Sequence, residues 1–260
     1  MKQKITLLIC LLILACTLAA CGTQQSASAP AESRQTVTIT IPEGFTFRQI
    51  AERLEVNQVC TAADFYTACQ SYTPQSFSVP QTDTRPFKME GYLYPATYTF
   101  QTNTPAQEVL IKMLNAYAHY TGGTLSVETL IIASIIQSET RSASHMAIVS
   151  GIIQNRLAQG MQLQMDSTRE YINQNVTNNP LLQNTEQYAA LYNTYKCAAL
   201  PAGPICNPGA DAISAAQKPQ PSDYLYFFFG NDNQNHYSTT YEEHQAAMAQ
   251  FGVQYGETTE

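Results

Sequence analysis

Polar and apolar residues alternate in a short segment that begins at residue 36. Residues 36–41 (TVTITI) follow a period of two and end at Pro42, which predicts a half-buried β-strand. Thr46 can cap a helix over residues 47–54, where apolar side chains recur every three or four positions. A second helix is predicted over residues 62–70. The pattern therefore predicts a small strand–helix–helix module.

Helical spacing dominates the middle of the chain. Residues 105–120 place apolar side chains on one face, residues 125–140 carry a long apolar stripe, and residues 143–158 give a third helix that ends before Gly160. The Tyr-rich stretch at residues 90–100 precedes these helices and has strand propensity on both sides of a proline. This part of the chain is predicted to be mainly helical.

The second half of the chain mixes strand and helix patterns. Residues 161–166 return to a period of two, which predicts a strand with Gln162, Gln164 and Asp166 on one side. The remaining elements are, in order, a polar loop, a short helix, a buried strand and a closing helix, over residues 173–190, 211–217, 224–229 and 241–251. The sequence therefore predicts an α+β fold.

One carboxylate continues an apolar stripe. In the helix predicted over residues 125–140, the isoleucines lead at steps of three and four to Glu139. Removal from water disfavours the charged form and raises the pKa of a carboxyl, which is the property that a general acid needs. The alternative is that the helix ends near Glu139, so that its side chain reaches water or pairs with Arg141.

Composition narrows the class of ligand. The chain has 20 Asp and Glu against 13 Lys and Arg, a formal net charge of −7, and no basic run. This argues against a nucleic-acid binder, because such proteins neutralise phosphates with Lys and Arg. Charged residues make up only 13% of the chain, while Tyr, Gln, Asn and Thr are plentiful. Such a composition suits a neutral, hydroxyl-rich ligand such as a sugar.

The N-terminus predicts export from the cytoplasm. Lys2 and Lys4 precede an apolar run that extends to residue 20, which is typical of a secretory signal and too short to span a membrane comfortably. The run ends in Leu-Ala-Ala-Cys and resembles the lipobox of bacterial lipoproteins, so cleavage before Cys21 and lipidation of this cysteine are expected. Residues 21–35 predict a flexible tether. The alternatives are an ordinary signal peptide and an uncleaved anchor.

Four of the seven cysteines remain as candidates for disulfides, because two lie in the signal and Cys21 is the lipid site. Cys60 and Cys69 are nine residues apart, as are Cys197 and Cys206, and an oxidising compartment permits disulfides. Four cysteines allow three connectivities, and their spacing does not choose among them. A zinc site is not expected, since no Cys-x-x-Cys or His-x-x-x-His accompanies them.

A series of short motifs, taken in order and spacing over residues 36–251, resembles the YceG-like endolytic murein transglycosylases. The motifs are EGYLYP (90–95), ASIIQSET (133–140), NRL and GM (155–157 and 160–161), QMDST (164–168), YNTY (192–195), LPAGPI (200–205), NPG (207–209), YLYF (224–227), and His236 with YEEH (241–244). Each motif alone is weak, but the set is specific.

The resemblance implies an α+β protein with a LysM-like module at residues 36–88 and a catalytic domain at residues 89–255, after the signal peptide at 1–20 and the tether at 21–35. It implies a lytic transglycosylase that breaks the MurNAc-β-1,4-GlcNAc bond within peptidoglycan strands and leaves 1,6-anhydroMurNAc ends. Such an enzyme needs no cofactor or metal. Its expected partners are glycan strands, the cell membrane through Cys21, and cell-wall synthesis proteins, with no nucleic acid, and it works outside the cytoplasm.

The resemblance also assigns the catalytic acid. In the family the acid lies in a Glu-Lys-Glu-Thr helix motif, whose second Glu falls on Glu139 and whose first falls on Gln137. Ala96 and Ser167 stand where the family tends to have Asp and Pro. The N-terminal module has room for one LysM-like unit, and a lipid anchor takes the place of the usual transmembrane anchor. These departures bear on the expected rate more than on the class of reaction.

Five polar residues are candidates for holding the sugar and its acetamido group: Gln164, Asp166, Asn193, Tyr195 and Asn207. Asp166 is also the candidate second carboxylate if the enzyme hydrolyses its substrate. Two alternatives stay open, a muramidase-type hydrolase and a catalytically inactive peptidoglycan-binding scaffold. A serine or cysteine hydrolase is not supported, because the sequence has no Gly-x-Ser-x-Gly motif and its histidines have no nucleophile partner.

Overall fold

The computed structural model describes residues 34–80, 83–196 and 199–253. Its first elements are β1 (Thr36–Thr40), α1 (Phe47–Val56), α2 (Ala62–Ser71), β2 (Thr97–Gln101), α3 (Ala106–Thr121), α4 (Val127–Glu139) and α5 (Ala143–Ala158). The later elements are α6 (Asp166–Tyr171), a π-helix (Ile172–Val176), α7 (Glu186–Tyr192), α8 (Ala210–Gln217), β3 (Tyr226–Phe229), β4 (Asn235–Ser238) and α9 (Tyr241–Gln250). No helix in the described ranges combines the length and apolar character needed to cross a membrane.

The N-terminal strand–helix–helix pattern folds as the sequence predicts. Thr46 caps α1 and its side chain forms a capping box with Gln49, because each residue bonds the backbone N–H of the other. β1 pairs antiparallel with β2, from Thr36 opposite Gln101 to Thr40 opposite Thr97. One hydrophobic core continues from these strands into the central helices. The resemblance of residues 36–88 to LysM stays a prediction.

Helix α4 forms the centre of the core. All residues from Leu130 to Ile136 are buried, so the helix is enclosed on every side. It packs against α5 and α8, and Ser126 caps its N-terminus by accepting the Thr129 N–H at 3.0 Å. Because its body is held by packing, the core fixes the place of its last residue, Glu139.

The strand predicted over residues 161–166 is not formed. These residues run extended to Met165, and α6 begins at Asp166. Burial still alternates, with Leu163 and Met165 buried and Gln164 exposed. Gln164 has a left-handed φ of 53°, and its backbone N–H donates to the Thr194 carbonyl at 3.1 Å. The segment therefore bonds to the loop after α7 and not to a sheet, a pairing that the period-two pattern does not encode.

Two other predictions for the second half were wrong in detail. The predicted polar loop at residues 173–190 is partly helical, because the π-helix and α7 overlap its two ends. Val176, Tyr188 and Tyr192 of these helices are buried in the core. The strand expected at residues 224–229 begins at Tyr226 and pairs with β4 in a two-stranded sheet, and Phe228 is its one buried residue. In both cases tertiary contacts outweigh local composition.

The strand structure expected before Pro95 is also missing. Residues 88–92 form turns. Gly91 has a φ of +88°, a backbone angle that residues other than glycine rarely adopt. A Cβ at this position would lie 2.7 Å from the Cγ of Pro204, so the turn packs against the Pro-rich loop at residues 200–208. Strand geometry begins at Thr97, where β1 supplies a partner.

The described cysteines are not joined to one another. Cys60, Cys69 and Cys206 are free thiols, and Cys197 and Cys21 lie outside the described residues. Burial raises the pKa of Cys60 to about 12, and the charges of Asp64 and Glu55 add to this shift. Such a thiol stays protonated at neutral pH and is a poor nucleophile.

Candidate active site

An open groove of about 830 Å³ lies across the C-terminal end of α4. Three parts of the chain line it. The turn after β1 contributes Glu43, the end of α4 and the start of α5 contribute residues 137–142 and His145, and the β3–β4 hairpin contributes Phe229 with two asparagines. A second depression, of about 460 Å³, lies beside α5 and residues 219–223 and is lined by neither Glu43 nor Glu139. The groove at the end of α4 is therefore the candidate active site.

Glu139 stands at the point where the apolar helix meets this groove. It is the last residue of α4, and its side chain is partly exposed. The Ser167 hydroxyl donates to its Oε1 at 2.6 Å, and the Ser167 backbone N–H also bonds to this carboxylate. In the described part of the chain Glu139 forms no ion pair with Arg141. The end of the helix thus places the partly buried carboxylate of Glu139 at the wall of the groove.

The electrostatic environment favours the protonated form of Glu139. Burial raises the pKa of its carboxyl above the ordinary value, and the hydrogen bonds from Ser167 oppose this shift. The negative charges of Asp166 and Glu170 act in the same direction as burial. A raised pKa increases the share of the carboxyl that carries a proton at a given pH, and a general acid needs such a proton to give to a bound substrate.

A network of backbone contacts fixes the segment that carries Ser167. Arg156 is buried, and its Nη1 donates to the carbonyls of Gln162 and Leu163 at 2.9 and 3.0 Å. The buried hydroxyl of Thr194 accepts the Met165 N–H at 3.0 Å. Arg156 therefore does more than complement the dipole of α5, because it holds the chain that leads into α6. This positioning brings Ser167 to Glu139.

Four of the predicted substrate contacts cluster at the start of α6. The Tyr195 hydroxyl donates to Asp166 Oδ1 at 3.0 Å, and Arg169 forms an ion pair with the same carboxylate. Asn193 Oδ1 accepts the Tyr195 N–H at 3.0 Å, while Gln164 is exposed. These residues adjoin Ser167 but do not line the groove itself. The Asp166 carboxylate is therefore already engaged by bonds from Tyr195 and Arg169 within the protein.

Asn207 has a different place. It is fully buried, its Oδ1 accepts the Leu93 N–H at 2.8 Å, and its Nδ2 donates to the Phe45 carbonyl and to Glu90 Oε1, each at 2.9 Å. A side chain with its hydrogen bonds satisfied inside the core has no polar atom left for a ligand. Asn207 therefore joins three segments of the chain and does not face the groove.

Glu90 is a buried acid that the pattern of the sequence did not single out. Both of its carboxylate oxygens accept the Phe47 N–H, at 2.9 and 3.0 Å, and the Tyr171 hydroxyl donates to Oε2 at 3.1 Å. Burial raises its pKa to about 8, although these hydrogen bonds oppose the shift. Glu90 connects the N-terminus of α1 with the core, and it is remote from solvent.

Sequence reasoning also missed four residues of the groove wall. Glu43 and Phe229 reach it from the first turn and the last hairpin, and the side chains of His145 and Asn235, which also line it, contact each other. Phe229 is 60% exposed. The sequence does show Glu43 in a Pro-x-Gly turn and Phe229 at the end of a strand. Neither pattern indicates which side chains lie together in the fold. Within the described ranges no three His, Cys, Asp or Glu side chains come together as a metal-binding group.

A desolvated carboxyl on the wall of an open polar groove is a candidate general acid. Comparison with known proteins assigns the family. Residues 21–250 match the YceG-like family, and the chain belongs to it.

The similar proteins carry consistent names. "Endolytic murein transglycosylase" of Streptococcus pneumoniae (strain D39) is 28% identical over 244 residues, which cover 82% of this chain and 44% of that protein. The Bacillus subtilis (strain 168) protein of the same name is 32% identical over 173 residues, covering 63% and 48%. The chain thus spans about half the length of these curated relatives. A crystal structure of a YceG-like protein from Listeria monocytogenes has a TM-score of 0.68 and 32% identity, covering 81% of this chain and 75% of that one.

Proposed function

We propose that this protein is a peptidoglycan lytic transglycosylase that cleaves the MurNAc-β-1,4-GlcNAc bond within glycan strands. Its products carry 1,6-anhydroMurNAc ends, and cleavage terminates or trims nascent chains. The observation that carries the proposal is the desolvated Glu139 carboxyl at the groove, hydrogen-bonded to Ser167. The names of the two curated relatives support the same reaction.

The chemistry requires one residue that serves first as an acid and then as a base. Protonated Glu139 gives its proton to the bridging oxygen, the bond from MurNAc C1 to that oxygen breaks, and the electron pair leaves with GlcNAc as a hydroxyl group. The substrate's acetamido group stabilises the positive charge at C1. The Glu139 carboxylate then takes the proton of the C6 hydroxyl as O6 attacks C1. The acid is regenerated and no water is consumed.

The rest of the site would bind the strand by polar and apolar contacts. The amide groups of Gln137, Asn233 and Asn235 offer hydrogen-bond donors and acceptors along the groove. The exposed ring of Phe229 offers an apolar face at the hairpin end. Gln164, Asp166, Asn193 and Tyr195 would act indirectly, because they hold the start of α6 and with it Ser167.

Product analysis tests the function. The protein from residue 22 onwards, incubated with uncrosslinked glycan strands, should give fragments with 1,6-anhydroMurNAc ends by mass spectrometry. Reducing MurNAc ends would instead identify a muramidase-type hydrolase, and binding without cleavage would identify a scaffold. A Glu139→Gln sample processed in parallel excludes contaminating glycosidases.

The hydrogen bond from Ser167 to Glu139 predicts a shift in the pH dependence of the reaction. It donates to Glu139 and thereby lowers the pKa of that carboxyl. We expect Ser167→Ala to raise this pKa further, so that the acid keeps its proton to higher pH. Since the active form at the first step is the protonated acid, the alkaline limb of the kcat/KM profile should move to higher pH. The measurement is kcat/KM against pH, because this quantity reports the ionisation of the free enzyme. If the alkaline limb stays in place, Ser167 does not influence the pKa of Glu139, and the prediction is wrong.

The domain organisation belongs to the same proposal. Residues 36–88 would serve as a LysM-like module and residues 89–255 as the catalytic domain. The capped helix α1, the helix α2 and strand β1 supply the strand–helix–helix order that such a module needs. The pairing of β1 with β2 ties the proposed module to the catalytic part.

Lipid anchoring at Cys21 would hold the protein at the outer face of the cell membrane, beside its substrate. The lipobox-like sequence supports this placement, which lies outside the described residues. We expect wild-type cells to incorporate labelled fatty acid into the protein, and Cys21→Ala to release it from membranes or leave an unprocessed precursor. Wild-type protein without label would contradict the anchor, and Cys16→Ala serves as the matched control.

A further inference from the structure

The turn between β1 and α1 brings a carboxylate to the wall of the catalytic groove. Glu43 is exposed and lines the same groove as Glu139, although the two are far apart in sequence. Two backbone hydrogen bonds fix this turn: Gly44 N–H donates to the Asn207 carbonyl and Asn207 N–H donates to the Phe45 carbonyl, both at 2.9 Å. The carboxylate is therefore carried by a braced turn, which is a favourable setting for a site residue.

Two neighbours are shaped to accommodate Glu43. A Cβ on Gly209 would lie 1.9 Å from the Cδ of Glu43, so the carboxylate occupies the space that any other side chain at position 209 would fill. Gly209 has a φ of −84°, which every residue can adopt. Its N–H donates to Gln137 Oε1 at 2.9 Å, and Gln137 also lies against Gly44. The absence of a side chain at Gly209 thus makes room for Glu43 and is not required by the backbone.

The carboxylate of Glu43 differs from that of Asp166 in its partners. In the described residues no Lys, Arg or His forms an ion pair with it, whereas Asp166 is paired with Arg169. An ionised carboxylate accepts hydrogen bonds and donates none. Facing an open groove, it is suited to a ligand rich in hydroxyl and amide N–H donors, and its charge favours a cationic reacting centre.

We propose that Glu43 is the second carboxylate of the active site and contacts the bound glycan, accepting hydrogen bonds from a sugar hydroxyl or acetamido N–H. This rests on the function proposed above. It takes the place that sequence reasoning gave to Asp166. It also gives the N-terminal segment a direct part in the site, because the segment before α1 then forms part of the wall beside the end of α4.

The test compares Glu43→Gln with a matched control in the same segment. Glu52→Gln removes an exposed carboxylate from α1 that does not line the groove. We expect Glu43→Gln to lower kcat/KM for glycan cleavage about 10- to 100-fold, the range of a lost hydrogen bond to a charged group. Glu52→Gln should leave kcat/KM unchanged. Both variants should have the melting temperature of the wild type, because exposed residues contribute little to stability.

A binding arm makes the result independent of catalysis. In the Glu139→Gln background, a MurNAc–GlcNAc oligosaccharide is titrated by calorimetry into three proteins: one with no further change, one that adds Glu43→Gln, and one that adds Glu52→Gln. Weaker binding, about 10-fold or more, is expected only when Glu43 is changed. Weakened binding without any cleavage by the wild type would overturn the proposed function and leave the contact standing. Cleavage and binding unaffected by Glu43→Gln would overturn the contact alone. Absence of cleavage by the wild type together with absence of binding by the Glu139→Gln protein would overturn both.

Gly209→Ala is a second test of the Glu43 carboxylate. The new methyl displaces the end of a flexible side chain, so the fold should be retained while the Glu43 carboxylate moves. In the Glu139→Gln background, Gly209→Ala should therefore reduce oligosaccharide binding, and it should have no further effect when Glu43→Ala is also present. Equal losses with and without Glu43→Ala would show that Gly209 acts independently of Glu43 and would contradict the geometry proposed.

Discussion

Glycan cleavage by the Glu139→Gln variant is expected to fall below detection. Gln preserves the volume of the side chain and can still accept the Ser167 hydroxyl, but it carries no proton that it can transfer. General acid–base assistance is typically worth about 10²–10⁴ in rate. The loss is larger where protonation of the leaving oxygen is obligatory. The measurement is the release of anhydro-ended fragments, with folding followed by thermal melting.

The fold of this variant should be unharmed. A partly desolvated carboxylate destabilises the folded state, so the melting temperature should hold or rise slightly. Glu128→Gln is the matched control, since it changes an exposed acid in the first turn of the same helix. Anhydro-ended products at a near wild-type rate would place the acid elsewhere, and Asp166 and Glu43 are then the carboxylates to test.

Glu90→Ala is expected to cause the largest loss of stability. The change removes the acceptor for Phe47 N–H, for Asn207 Nδ2 and for the Tyr171 hydroxyl, all of them buried. Each buried donor left unsatisfied costs about 1–3 kcal/mol, and these costs are not additive. We expect a loss of about 3 kcal/mol or more. In a chain of this size that corresponds to roughly 6–12 °C in melting temperature.

The same residue should make stability depend on pH. Burial raises the pKa of folded Glu90 to about 8 from its ordinary value of 4.5. The folded state therefore binds more protons than the unfolded state between these values, and the free energy of unfolding falls as pH rises through that window. Urea unfolding at about pH 5.5 and about pH 8 should show this decrease. Glu90→Gln, which has no charge to titrate, should show a smaller one.

A matched control completes the test. Glu108 is an exposed acid in the first turn of α3, so Glu108→Gln should keep the wild-type difference between the two pH values. If the decrease between the lower and the higher pH is equal in wild type and Glu90→Gln, Glu90 does not carry the pH dependence.

The sequence by itself determined the elements that repeat a local pattern. The helix over 143–158 appears as α5 with the predicted bounds, and Thr46 and Gly160 stand where capping rules place them. The apolar stripe predicted over residues 125–140 appears as α4, and Glu139 continues it as the last residue of the helix. Hydrophobic period, caps and breakers act over a few residues, so one sequence suffices to recognise them.

Only the tertiary structure decided which distant groups meet. Residues 161–166 alternate as a strand does, yet their backbone bonds to Thr194, and α6 starts where the strand was expected. Asn207 was expected in the groove and is buried among Glu90, Leu93 and Phe45. Glu43 lies at the groove because backbone bonds join its turn to the loop at residue 207. Such contacts join residues that are far apart in the sequence, and the local periodicity of polar and apolar residues carries no information about them.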